Sequence, residues 1–176
     1  MFRSRFHLPM LFLFVVYSIC GCAPSKVGLE LAEYVNQGML SISQLETKAL
    51  ERYGAATGVN YTTDQAVYDA LKMDVIPLYD RFVVLLKQIR PQSEEVINLH
   101  AVYVTGAETM LSGFNSKLQA LEKKDASLMQ SANALIEKGR IETEIKWHEQ
   151  LQALYKAHGV RPAPETKDSA LKRQLI

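Results

Sequence analysis

From Leu29 to Leu154, apolar residues recur every three or four positions in four successive stretches, and nowhere do they alternate in the manner of a strand. A period near 3.6 gathers such residues on one face of a helix, whereas a half-buried strand needs a period of two. Helices patterned this way bury their apolar stripe against other helices, so the sequence predicts an all-α domain. The first stripe runs Leu31, Val35, Gly38, Ile42, Leu45 and Ala49, with Tyr34, Met39 and Tyr53 beside it. The second runs from Val67 through Leu71, Val75, Leu78, Phe82 and Leu85 to Ile89. The third holds Val96, Leu99, Tyr103, Gly106, Met110, Phe114, Leu118 and Leu121, and a looser fourth runs from Leu128 to Leu154.

Local signals mark the boundaries. Thr62, with Gln65 three residues on, has the form of a capping box that opens the second helix. Ser93 followed by Glu94 and Glu95 places acid at the positive end of the third helix dipole, and Asp125 caps the fourth. Gly159-Val160 has the form of a glycine C-cap with its trailing apolar residue. Pro77 falls inside the second stripe and predicts a kink there, because proline lacks an N–H and its ring displaces the preceding turn. Gly54–Tyr61, Arg90–Ser93 and Lys123–Asp125 read as connections. Short connections favour antiparallel neighbours, so residues 29–160 are expected to form an up-down-up-down four-helix bundle. Gly38, Gly106 and Gly139 lie on or near the stripes, where close helix contact would offset their poor helix propensity.

The first 21 residues follow a different logic. Arg3 and Arg5 precede a nearly unbroken apolar run from Leu8 to Ile19, which ends at Cys20-Gly21-Cys22-Ala23-Pro24. A basic start, about a dozen apolar residues and a small-residue site make a secretory signal. A membrane-spanning helix needs about 20 apolar residues, and this run contains Pro9 and is shorter. Ile19-Cys20-Gly21-Cys22 resembles the lipobox of bacterial lipoproteins: Ile19, Gly21 and Cys22 match, while Cys20 stands where Ala or Ser is usual. The resemblance implies a signal peptide over 1–21, a diacylglycerol thioether on Cys22, and an acyl chain such as palmitate on its new amino group. At about 0.8 kcal/mol per buried methylene, two or three such chains make a durable membrane anchor. Ala23 takes the place of the Asp that retains lipoproteins in the inner membrane, so the implied address is the periplasmic face of an outer membrane. Residues 22–28 read as the lipidated cysteine and a linker, and 161–176, with two prolines and no sustained period, as a flexible tail.

Chemistry-bearing patterns are few. Twenty Lys and Arg against nineteen Asp and Glu build no positive field for nucleic acid. Both cysteines fall in the first 22 residues, so the domain behind them has no disulfide and no thiolate ligand or nucleophile. The Glu-x-x-His pairs of di-iron bundles are missing, since Ile97, Ile145 and Tyr155 stand three before His100, His148 and His158. Glu144 and His148 share a helix face but read as a solvated pair, so no metal and no cofactor is expected. No serine, histidine and acid are brought together by spacing alone, and no catalytic residue is assigned. His100, between Leu99 and Tyr103, is the candidate polar core residue, with Asn133 and Arg140 as candidate partners. Val59 and Tyr61, on the glycine-bearing connection, are the candidate partner contact, or else fold down to plug the bundle. The expected function is a non-enzymatic lipoprotein that binds or positions another envelope protein. The alternative is a small-ligand or metal-responsive bundle with its site between helices.

Overall fold

Each of the four stripes folds as a rod of helix, and the computed structural model describes residues 25–161. The expected signal peptide over 1–21, Cys22 and the expected tail beyond Arg161 therefore lie outside the described residues. Helix α1 covers 26–56 and is built of Lys26–Glu33, a π-helical turn Tyr34–Met39, and Leu40–Ala56. Helix α2 covers 64–86, with a π turn at Leu71–Val75 followed by Ile76–Leu86. Helix α3, Glu94–Lys123, is α-helical throughout. Helix α4 covers 126–157 and widens into a π turn at Ile141–Lys146. The described residues contain no strand, and the domain is an all-α bundle.

The boundaries differ from expectation at five places. One is the end of α2, which stops at Leu86 and passes through i→i+3 turns at Gln88 and Ile89 where the stripe had predicted helix to Ile89. Helix α1 starts at Lys26, so 25–28 are not linker. Ser25 caps it by accepting from the Gly28 amide, and Gly28 is buried so closely against His158 and Val160 that a Cβ there would collide with both. At the other end α1 runs on through Gly54 to Ala56, leaving a shorter connection. Thr63, not Thr62, caps α2, accepting from the Ala66 amide, which places Gln65 one residue too early for a capping box. Ser93 makes no side-chain cap; the Glu30 carboxylate from α1 accepts from the Gln92 and Ser93 amides instead. Pro77 is accommodated by the π turn just before it, in which the Ile76 amide bonds back to the Leu71 carbonyl, five residues away. Asp125 caps α4 through the Leu128 amide. Gly159, at φ +67°, ends the helix with the Val160 amide bonded to the Tyr155 carbonyl.

Contacts at the ends give the direction of each rod. Ser25 meets His158, and Glu30 meets Ser93, so the start of α1, the start of α3 and the end of α4 share one end, here called proximal. Lys117 meets Tyr53 and Asn133, and Tyr68 meets Glu122, so the turn after α1 and the α3–α4 turn share the distal end. The core between them holds Leu31, Leu71, Val75, Tyr79, Phe82, Leu86, Val96, Leu99, Met110 and Phe114, all nearly inaccessible to solvent. Burying each side chain of this size contributes about 1.5–3 kcal/mol relative to leaving it exposed. Helices α3 and α4 approach most closely. A Cβ on Gly106 would sit 3.0 Å from the Gly139 carbonyl, and one on Gly139 would sit 2.6 Å from the Gly106 carbonyl. Gly113 is equally tight against Ile136, whereas at Gly38 there is ordinary room, so close approach does not explain that glycine.

Candidate functional site

Two regions hold side chains that packing alone does not explain. The first is the distal end. Thr57 to Tyr61 cross from α1 to α2 through a short 3₁₀ turn, Gly58–Asn60, with Gly58 at φ +58°. Val59 is fully exposed and Tyr61 is 52% exposed, its hydroxyl donating to Asp64 Oδ1 at 3.0 Å. Neither side chain plugs the bundle. Beside them is a surface recess of about 320 Å³ lined by Asp64, Gln65, Tyr68, Leu121, Glu122 and Lys124. Tyr68 closes one side of it, donating to Glu122 Oε1 and accepting from Lys72.

The second region is polar and lies inside. His100 is buried as expected, but its partner is the Tyr34 hydroxyl at 3.2 Å from Nδ1, with the rings edge to face. Asn133 is held by Lys117, and Arg140 by Glu137 and Glu144, so neither reaches His100. Burial, reinforced by the positive charge of Arg90, holds His100 below the usual histidine pKa and favours neutral imidazole. The Glu144–His148 pair does not form either, because Glu144 bonds to Arg140 at 2.8 Å.

Beside Tyr34 and His100 stands a group that the sequence reading missed. Glu46 on α1 accepts from the Tyr103 hydroxyl on α3 at 2.7 Å. The residue is partly exposed, yet loss of hydration is the largest influence on its carboxyl. That effect outweighs the Tyr103 hydrogen bond and is helped by the negative charge of Glu144, so the pKa is pushed up to about 7. Tyr79 on α2 is wholly buried, its hydroxyl has no hydrogen-bond partner, and the charges of Glu46 and Glu144 reach it. Trp147 on α4 stacks edge-on to Tyr103 at 5.1 Å. Its Nε1 makes no hydrogen bond of normal geometry, though it stands near enough to the Tyr34 hydroxyl to oppose the rise that burial imposes on that phenol's pKa. Glu46 could have been found in the sequence: it falls four after Ile42 and three before Ala49, on the buried stripe itself.

Folding also assembles a serine, a histidine and an acid. Ser25 Oγ bonds to His158 Nδ1 at 2.8 Å, and His158 Nε2 lies 3.5 Å from Glu95 Oε1. Ser25 Oγ also accepts from the Gly28 amide as the α1 cap. These contacts join the start of α1 to the end of α4 and the start of α3. Among the described residues no three His, Cys, Asp or Glu gather as metal ligands, and no helix is long and apolar enough to cross a membrane.

The fold and these contacts define an all-α helical-bundle protein whose apolar core holds a few polar groups. The chain matches no protein-family model, no curated protein and no solved structure.

Proposed function

We propose that the protein is a non-enzymatic lipoprotein, anchored through Cys22 at the periplasmic face of the outer membrane, whose distal end binds or positions another envelope protein. One observation carries this reading: the chain enters the bundle at the proximal end, three residues after Cys22, while Val59 and Tyr61 stand exposed at the opposite end. Helix α3, at 30 residues, sets the separation of the two ends at about 45 Å. Three extended residues reach only about 10 Å, so the tether keeps the proximal end at the lipid and turns Val59 and Tyr61 toward the periplasm.

Two measurements test it. Cys22→Ser should abolish incorporation of a fatty-acid analogue and release the domain from membranes, whereas Cys20→Ala should label normally; unchanged labelling of Cys22→Ser removes the anchor. A photo-crosslinker placed at residue 59 in intact cells should capture a discrete envelope protein that the same probe at Lys156 does not. The polar groups at His100 and Glu46 favour a second reading, a bundle that holds a small ligand between its helices. Native mass spectrometry of the purified protein separates the two, since a retained ligand or metal supports the second.

A further inference from the structure

Glu46 is a half-buried carboxyl that, among the described residues, has no cation beside it and a phenol as its hydrogen-bond partner. The ion pairs among the described residues join Lys87 to Glu108, Arg140 to Glu137 and Glu144, Lys146 to Glu142, and His158 to Glu95; none involves Glu46. What faces it is phenolic or acidic. From α3 comes Tyr103, which donates to it, with His100 one turn earlier; from α2 comes Tyr79, with a buried and unpartnered hydroxyl; from α4 comes Glu144, itself tied to Arg140. An ionised carboxylate among such neighbours keeps one hydrogen bond and gives up part of its hydration with no cation in return, an arrangement that favours the neutral acid. A protonated carboxyl still accepts from Tyr103 and gains an O–H of its own to donate.

Three of the four helices around this point, α1, α2 and α4, depart from the regular α repeat, while α3 keeps it. Tyr34 opens the π turn of α1, Glu144 lies in the π turn of α4, with Trp147 directly after it, and Tyr79 follows that of α2 by one turn. Such turns are frequent at functional sites, although the one in α2 also accommodates Pro77.

We propose that Glu46 is a proton-operated latch: with its proton in place the carboxyl packs between α1 and α3 under Tyr103, and losing the proton draws water in and loosens α1 from the bundle. The latch is independent of what the distal end contacts. Desolvation sets the proton's release near neutral pH, within the range through which an envelope compartment open to the surroundings can move.

The protein carries its own reporter, because Trp147 is the single tryptophan and lies against Tyr103. In the full chain held in detergent, Trp147 emission should titrate with a midpoint near 7. Glu46→Gln should lose that transition, and Tyr103→Phe, which removes the bond favouring the charged form, should move its midpoint to higher pH. At pH 8 the α1 amides around Glu46 should exchange faster in wild type than in Glu46→Gln, and alike at pH 5.5. A transition that survives in Glu46→Gln, or that only His100→Gln abolishes, overturns the latch, as do equal exchange rates at pH 8. Infrared difference spectra of the unmodified protein guard against a variant that fails to fold. A protonated-carboxyl band present at pH 6 and lost at pH 8 supports the latch, and its absence at pH 6 refutes it.

Discussion

Replacing Gly139 with alanine is expected to weaken the bundle, although alanine is the better helix former by about 1 kcal/mol. A Cβ at this position would stand 2.6 Å from the Gly106 carbonyl oxygen and 2.7 Å from the Met110 amide nitrogen. Both are backbone atoms of α3, so no side-chain rotation relieves the contact. To restore van der Waals distance the helices must part by roughly 0.8 Å, a gap that forfeits about a quarter to a half of the dispersion attraction across it. Because Gly106 and Gly113 are fitted to the same seam, the gap opens along much of the α3–α4 contact. Overpacking costs about 1–3 kcal/mol, and two backbone collisions place this case near the upper figure. Less the gain in propensity, the net loss is about 2 kcal/mol, a fall in melting temperature of about 6–8 °C for a domain of this size. Urea unfolding followed by helical circular dichroism reads it directly. Gly54→Ala is the matched control: Gly54 lies in α1 with nothing within 4 Å of a Cβ, so the variant should be more stable by about 0.5 kcal/mol. A Gly139→Ala protein as stable as wild type, beside a Gly54→Ala protein that behaves as stated, would refute the close-seam argument.

Substituting Val59 and Tyr61 together with serine should change the melting temperature by no more than about 1–2 °C, since both side chains are exposed, while weakening capture of a distal partner; a loss of stability with capture intact would disprove the distal contact. Glu46 has a folded pKa raised from 4.5 to about 7, so the stability it supports is full below the unfolded value and is lost as pH rises through the folded one. That displacement is worth on the order of 3 kcal/mol, and partial solvent access reduces it to about 2; urea midpoints at pH 5 and pH 8 should show it in wild type and lack it in Glu46→Gln. EDTA and reductant should leave the melting midpoint where it is, and a clear fall with EDTA would reveal a metal site.

The sequence by itself determined the helices and their number. Period, caps and breakers are local properties, and Leu31, Val67, Val96 and Leu151 are buried where the 3.6-residue pattern put them. Asp125 starts α4 and Gly159 ends it as their chemistry dictates. Gly106 and Gly139 were legible too, because a poor helix former on a buried stripe needs a neighbour close enough to compensate. Tertiary structure decided which polar groups meet. His100 sits 66 residues from Tyr34, Ser25 sits 133 from His158, and the two members of the Glu46–Tyr103 pair belong to different helices; no spacing within one helix encodes such contacts. The π turns were equally hidden: in α2 Pro77 gave a reason for an irregularity without saying which form it takes, and in α1 and α4 nothing local asks for one. Glu46 lies between these two kinds of knowledge. Its place on the apolar stripe was written in the sequence, but whether it faced a cation, water or a phenol depended on how four rods lean together. That choice fixes its charge, because desolvation is a property of the assembled interior and not of any one helix.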